Sequence, residues 1–298
     1  MTQEERGTQL AAHYALCDRE LHESDRARWL ASLFAPQPAR GHLHAIYAFA
    51  AEVAAVRARV SQPLLGEMRL RWWLDALEGS DEAGAGARAH PVADALLDTI
   101  ARCGLPRDEF IDYLEARVFD LYDDPMESLD AAIDYCRRVG GAPLRWAAQC
   151  LGWRPAAGAA GIGARAALDD AGIALALAEI LRDLPRARAA GQMFIPLDLL
   201  LRHGSGAEEA RAGAATPGLR AALADLRAEA AARYGAARAA AGGAALGSAS
   251  AAFLPAAIAP LYLKAMTRHD YAPFETRVEP SQWRLQWRLW RASRGGGL

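Results

Sequence analysis

Apolar residues recur at three- and four-residue spacing along almost the whole chain, and the two-residue alternation of a half-buried strand is hard to find. The pattern predicts one or two helices between Leu10 and Phe34, with Ser24 and Asp25 as a cap, and a break at Pro36 and Pro38. A long helix follows from Arg40 to Arg59, with Leu43, Ile46, Tyr47, Ala50, Val53 and Ala54 toward a core. Another opens at Ser61, with Pro63 in its first turn, and ends at Gly79. Further helices are expected over Pro91–Cys103, Pro106–Leu121 and Leu129–Cys150. In Leu168–Leu184, Ile173, Leu177, Ile180 and Leu184 repeat at helical spacing; Asp169 or Asp170 would cap the start and Pro185 the end. An alanine-rich helix over Leu219–Ala241 and a kinked core helix over Phe253–Arg268 complete the set. The stretches Gly79–His90, Gly152–Arg165 and Arg202–Gly218 read as loops or linkers. The expectation is an all-α single domain over residues 1–280 and a separate tail over 281–298.

Composition sharpens this picture. The 298-residue chain is 52% hydrophobic, enough for a large core, and its formal net charge of -2 gives no bulk basic surface for nucleic acid. Cys17, Cys103, Cys136 and Cys150 are far apart and form no C-x-x-C pair, so they read as reduced thiols of a cytoplasmic protein. No apolar run is long enough to span a bilayer, and the polar N-terminus does not read as a signal peptide.

The chain lacks G-x-S-x-G, P-loop, H-E-x-x-H and G-x-G-x-x-G patterns. His42 and His44 lie two apart on a helix and face different ways, which favours structural roles. Among carboxylates, Glu179 and Asp183 share one helix face four residues apart. On the Arg40–Arg59 helix Glu52 is the single acid; Asp75, Glu78, Asp120, Asp123 and Asp124 are other candidates. Asp183 could hold Mg²⁺ or simply pair with Arg182, Arg186 or another arginine.

Four segments resemble the squalene/phytoene synthase family: HLHAIYAFAAEVAAV, GEMRLRWWLDALEG, FIDYLEARVFDLYDDPMESLDAAIDYCRRVGGAPLRW and ALAEILRDLPRARAAGQMFIPLDLL. The resemblance implies an isoprenoid-synthase-like helical bundle around a central apolar cavity. There, two D-x-x-x-D motifs on facing helices would hold Mg²⁺, which draws diphosphate off a prenyl substrate. At the matching positions this chain carries Ala54, Ala55 and Ala58 in the first motif. In the second, Arg182 and Asp183 remain and Glu179 takes the place of the usual asparagine, while Asp183's partner becomes Ala187 and the exit tyrosine becomes Phe194. Cavity-lining positions implied by the match are Tyr47, Phe49, Glu52, Ala54, Ala55, Ala58, Arg69, Trp72, Trp73 and Phe194.

Glu52, Ala54, Arg57, Ser61, Gly66, Met68, Arg69, Trp72 and Trp73 are similar to a non-catalytic branch of that family, which includes a mitochondrial assembly factor for respiratory complex I. That branch implies a retained fold, no cofactor and lost diphosphate chemistry. Its partners would be an isoprenoid, a membrane surface or a respiratory-complex subunit. The catalytic branch implies Mg²⁺ and the condensation of two prenyl diphosphates to a squalene- or phytoene-like product.

In the tail, Trp283, Trp287 and Trp290 fall on one helical face, beside Arg284, Arg288 and Arg291. Such a helix suits the headgroup layer on the inner face of a membrane. Alternatively, the tryptophans cover the bundle and the arginines face water.

Overall fold

The computed structural model describes residues 2–79, 89–154, 159–241 and 247–298. Among them the regular elements are helical, apart from one isolated bridge between Pro125 and Met193. Helix α1 (Gln3–Ser24) begins with a Thr2–Glu5 capping box, and α2 (Arg26–Ser32) begins where Asp25 accepts from the Arg28 amide at 3.0 Å. Helix α3 spans Gln37–Ala54. The expected single helix to Arg59 breaks at Ala55, and a short α4 covers Val56–Arg59. Helix α5 (Pro63–Glu78) ends on Gly79 in the left-handed region (φ 76°), a conformation glycine adopts without a Cβ clash. The loop expected after Gly79 lies largely outside the described residues.

Helices α6 (Pro91–Cys103) and α7 (Arg107–Arg117) follow, the latter running into a 3₁₀ turn over Val118–Leu121. The expected Leu129–Cys150 helix is α8 (Leu129–Cys136) and α9 (Ala142–Cys150), joined by a π turn over Arg137–Gly141. That turn precedes Pro143, whose nitrogen has no hydrogen to continue the α ladder.

Helix α10 (Ala159–Arg182) starts earlier than the sequence pattern suggests. Asp169 and Asp170 are therefore interior residues, not caps: Asp169 pairs with Arg145 of α9, and Asp170 with Arg233 at 3.0 Å. The helix stops at Arg182, before Pro185. Pro185 instead sits in the first turn of α11 (Leu184–Ala189), where a missing N–H is tolerated. Helices α12 (Leu197–Arg202), α13 (Ala207–Ala212), α14 (Pro217–Ala241), α15 (Ala259–Ala265) and α16 (Gln282–Arg294) complete the chain. Helix α13 lies inside the stretch expected to be loop. The Phe253–Arg268 segment is 3₁₀ turns leading into α15 rather than one kinked helix.

Helix α10 is the spine. It packs most extensively on α14, and also on α9, α15 and the π turn. Its buried face carries Leu168, Ile173, Leu177 and Leu181. Close crossing of α10 and the π turn depends on glycine: a Cβ on Gly172 would stand 2.4 Å from the Gly141 backbone, and one on Gly140 2.3 Å from the Gly172 carbonyl oxygen. Small alanines on α14 (Ala222, Ala230, Ala237) let it lie tightly on the spine. Between α3, α5, α7 and α9 the interior is filled with rings. Phe49 meets Trp73, Phe110, Tyr113 and Trp146, and Phe110 stacks on Trp146 at 3.7 Å between centroids. Burial of each such ring contributes roughly 2 kcal/mol.

Candidate functional site

The C-terminal turn of α10 presents Glu179, Arg182 and Asp183, and each acid already holds a guanidinium. Arg28 of α2 grips Glu179 with both arms, Nη1 to Oε1 at 2.9 Å and Nη2 to Oε2 at 3.0 Å. The same Arg28 bonds Asp25 at 2.5 Å. Burial alone would lower its pKa, but Glu179 and Asp25 outweigh that and hold it well above the usual arginine value. Arg182 bonds Asp183 at 2.6 and 3.2 Å and donates to the Tyr262 hydroxyl at 2.9 Å. From the segment after α15, Arg277 donates to Asp183 at 2.6 Å. Burial pushes the Asp183 carboxyl up, but the hydrogen bonds and charges of Arg182 and Arg277 prevail and keep it below its ordinary value. Arg28, Arg182 and Arg277 thus balance Asp25, Glu179 and Asp183.

The end of α3 is tied to the chain that follows α11. Arg57 of α4 spans to the segment after α11, donating to the Ala190 carbonyl at 3.2 Å and to Asp123 at 3.4 Å. Ala54 and Ala58 are exposed at this rim and Ala55 is half-buried, so the rim carries methyl groups where a metal would need oxygen donors. Glu52 does not make good the difference. It stands 3.7 Å from the His90 ring, which in turn lies against Trp72 and Trp73. Burial there, opposed by Arg59 and helped by Glu20, pushes its carboxyl up to about 7. Among the described residues no group of three or more His, Cys, Asp or Glu is placed to hold a metal ion. The donor set does not fit Mg²⁺, which needs several free oxygens in near-octahedral array.

The remaining expected positions separate. Tyr47, Phe49 and Trp73 are buried, Trp72 is half-buried, and Arg69 lies on the exposed face of α5 instead of lining an interior. Phe194 sits 5.7 Å from Phe119 and 5.9 Å from Tyr135, ring to ring. Beneath it is a polar cluster that the sequence pattern did not single out as a unit. Buried Asp120 accepts from Tyr135 at 2.5 Å and from Arg117 at 3.0 Å, and Arg117 also reaches Tyr113 at 3.2 Å. Arg28, Tyr262 and Arg277 were likewise missed. Each lies in a stretch with other charges or rings, and pairing across 151 positions leaves no local trace.

His42 bonds Tyr14 and Thr99, while His44 bonds Ser32 at 2.7 Å and lies 3.2 Å from Asp18. The Ser32–His44–Asp18 chain has the distances of a nucleophile, base and acid. However, Ser32 is 2% exposed and its one hydroxyl proton goes to the Trp29 carbonyl, so the chain ties α1, α2 and α3 together.

In the tail, Leu285, Leu289 and Ala292 cover the bundle, while Trp283, Trp287 and Trp290 point outward with 66%, 55% and 39% exposure. The expectation that the tryptophans cover the bundle is overturned: the leucines fill that role. Arg288 also departs from the expected basic face, turning inward to the Ala257 carbonyl and the Tyr234 hydroxyl.

Comparison with known proteins agrees with this architecture. Residues 21–291 match the family model described as squalene/phytoene synthase. A phytoene synthase of Thermus thermophilus is 31% identical over 218 residues, 72% of this chain and 70% of that protein. The mouse NADH dehydrogenase (ubiquinone) complex I assembly factor 6 is 25% identical over 203 residues, 68% of this chain and 59% of its own length. In fold, the squalene synthase HpnC of Alicyclobacillus acidocaldarius superposes with a TM-score of 0.72 at 24% identity, over 90% of this chain and 97% of that one. A ligand-bound dehydrosqualene synthase reaches 0.77 at 18% identity, over 96% and 97%. With a match along most of its length, the chain belongs to the squalene/phytoene synthase family.

Proposed function

We propose that this chain no longer condenses prenyl diphosphates and acts by binding, as a prenyl-lipid-binding or respiratory-complex assembly protein. The observation that carries this reading is the double closure of the acids at the C-terminal end of α10: Arg28 on Glu179, and Arg182 with Arg277 on Asp183. Guanidinium groups occupy the directions from which a divalent cation would be held. Alanines at positions 54, 55 and 58 give the end of α3 and α4 no oxygen donors of their own, and the nearby Asp123 is met by Arg57. Similarity to the mouse assembly factor supports the assembly role. Calorimetric titration of the full chain with farnesyl diphosphate, with and without Mg²⁺, tests the reading. Binding that is the same in both is expected; binding that requires Mg²⁺ would count against it.

The second reading is an active Mg²⁺-dependent head-to-head prenyl transferase. It is favoured by the 31% identity to a phytoene synthase, higher than to the assembly factor. On that reading Asp183 would have to exchange Arg277 for metal when substrate enters.

A further inference from the structure

Helix α16 carries two opposed faces. At 100° per residue, Trp283, Trp287 and Trp290 fall within an arc of about 60°, and Leu285, Leu289 and Ala292 lie on the far side. The far side is buried in the bundle, against α2 and the 3₁₀ turn before α15. The tryptophan side faces outward, with the Trp287 and Trp290 rings stacked on each other at 4.9 Å. Arg284, Arg291 and Arg294 flank them, with Arg294 lying 4.3 Å from the Trp290 ring. Among the described residues these three arginines take part in no ion pair. Residues 281–298 hold four arginines and no acid, in a chain whose formal net charge is -2. Helix α2, on which α16 rests, ends by exposing Leu33 and Phe34 at 36% and 40%.

A groove of about 920 Å³ opens at the head of α16. Trp283 and Arg284 form one wall, and Leu261, Ala265 and Lys264 of α15 another. Lys264, like Arg284, takes part in no ion pair among the described residues. The groove's two acids, Asp270 and Glu279, are each paired with an arginine, Arg268 and Arg277, so Lys264 and Arg284 carry unpaired positive charge from the helix face into the groove. Tryptophan is suited to the headgroup layer, where its ring is apolar and its N–H is solvated, and arginine there meets lipid phosphates. No helix among the described residues is long and apolar enough to cross a membrane. The 13-residue α16, about 20 Å long, would lie in the interface plane.

We propose that the Trp283–Trp287–Trp290 face of α16 docks the folded protein onto an anionic phospholipid bilayer, with Arg284, Arg291 and Lys264 meeting the lipid phosphates. This stands apart from whether the α10 site catalyses. The test is sedimentation of the full chain with vesicles of phosphatidylcholine alone and of phosphatidylcholine mixed with phosphatidylglycerol. The wild type is expected to partition onto the anionic vesicles, less so as salt rises. Replacing all three exposed tryptophans (Trp283→Ser, Trp287→Ser, Trp290→Ser) should weaken partitioning at least about tenfold. Arg284→Glu with Arg291→Glu should abolish the preference for anionic lipid. Circular dichroism melts equal to wild type show that these surface changes leave the fold intact. Absence of wild-type partitioning, or equal partitioning by the triple variant, overturns the proposal. So does a lipid-free dimer, seen by sedimentation velocity, that the triple variant loses, since that assigns the face to a second copy.

Discussion

Arg28 and Glu179, 151 positions apart, meet arm to arm at 2.9 and 3.0 Å and tie α2 to the end of the spine helix. The side chains are 18% and 24% exposed, so solvent screens the pair partly. Removing one partner strands the other charge. Arg28→Ala should lower stability by about 2 kcal/mol, read from urea unfolding at neutral pH. Arg28→Met with Glu179→Gln should recover most of that loss. If Arg28→Ala alone is neutral, the pair contributes nothing to the fold.

The arginines on Asp183 create an acid limb in the stability curve. Its carboxyl lies below the ordinary value of 3.8, so the stabilisation is fully present above that pH and is lost as pH falls through the folded value. Asp183→Asn should flatten this limb in unfolding midpoints measured from pH 5 downward (about one pH unit above the ordinary range). An unchanged limb would show that Asp183 is not held by Arg182 and Arg277.

Glu52 has the opposite sign. Its folded value of about 7 exceeds the ordinary 4.5, so the native state holds a proton that the unfolded chain has released. Stability therefore declines as pH rises from about 4.5 to about 7 and levels off above it. Glu52→Gln should remove the decline and stabilise the protein at pH 8 by up to roughly 3 kcal/mol. The check is the same unfolding series. Equal slopes in variant and wild type would refute the assignment.

A Cβ on Gly172 would run into the backbone of the π turn, with the Gly141 Cα and nitrogen both at 2.4 Å. Since neither neighbour is a flexible side chain, Gly172→Ala must push α10 off the π turn. A loss of about 3 kcal/mol is expected in denaturant unfolding. Gly163, with nothing near its would-be Cβ, is the control and should accept alanine without loss.

Much of the fold was legible because it rests on local rules. Pro63 in a first turn, Gly79 past a helix end and the Ile173–Leu177–Leu184 spacing each give a boundary or a buried face from neighbours alone. The start of α10 was not legible, since Asp169 and Asp170 look like caps until Arg145 and Arg233 arrive from other helices. The same holds for the candidate site. Glu179 and Asp183 stand out as acids at the end of an apolar helix, and Arg182 is a partner readable from its place beside Asp183, but Arg28 and Arg277 come from α2 and from the segment before α16. The tail left two faces open for a different reason. Its tryptophans have the volume of core residues, yet Leu285 and Leu289 are the ones buried.

The most direct measurement of the central claim is pyrophosphate release. The purified 298-residue chain is incubated with farnesyl or geranylgeranyl diphosphate and Mg²⁺, and products are followed by a coupled phosphate assay and mass spectrometry of the lipid extract. With Glu179 and Asp183 both held by arginines and alanines at positions 54, 55 and 58, release at the level of buffer is expected. Mg²⁺-dependent release that Asp183→Ala abolishes, with a condensed C30 or C40 hydrocarbon in the extract, would contradict it.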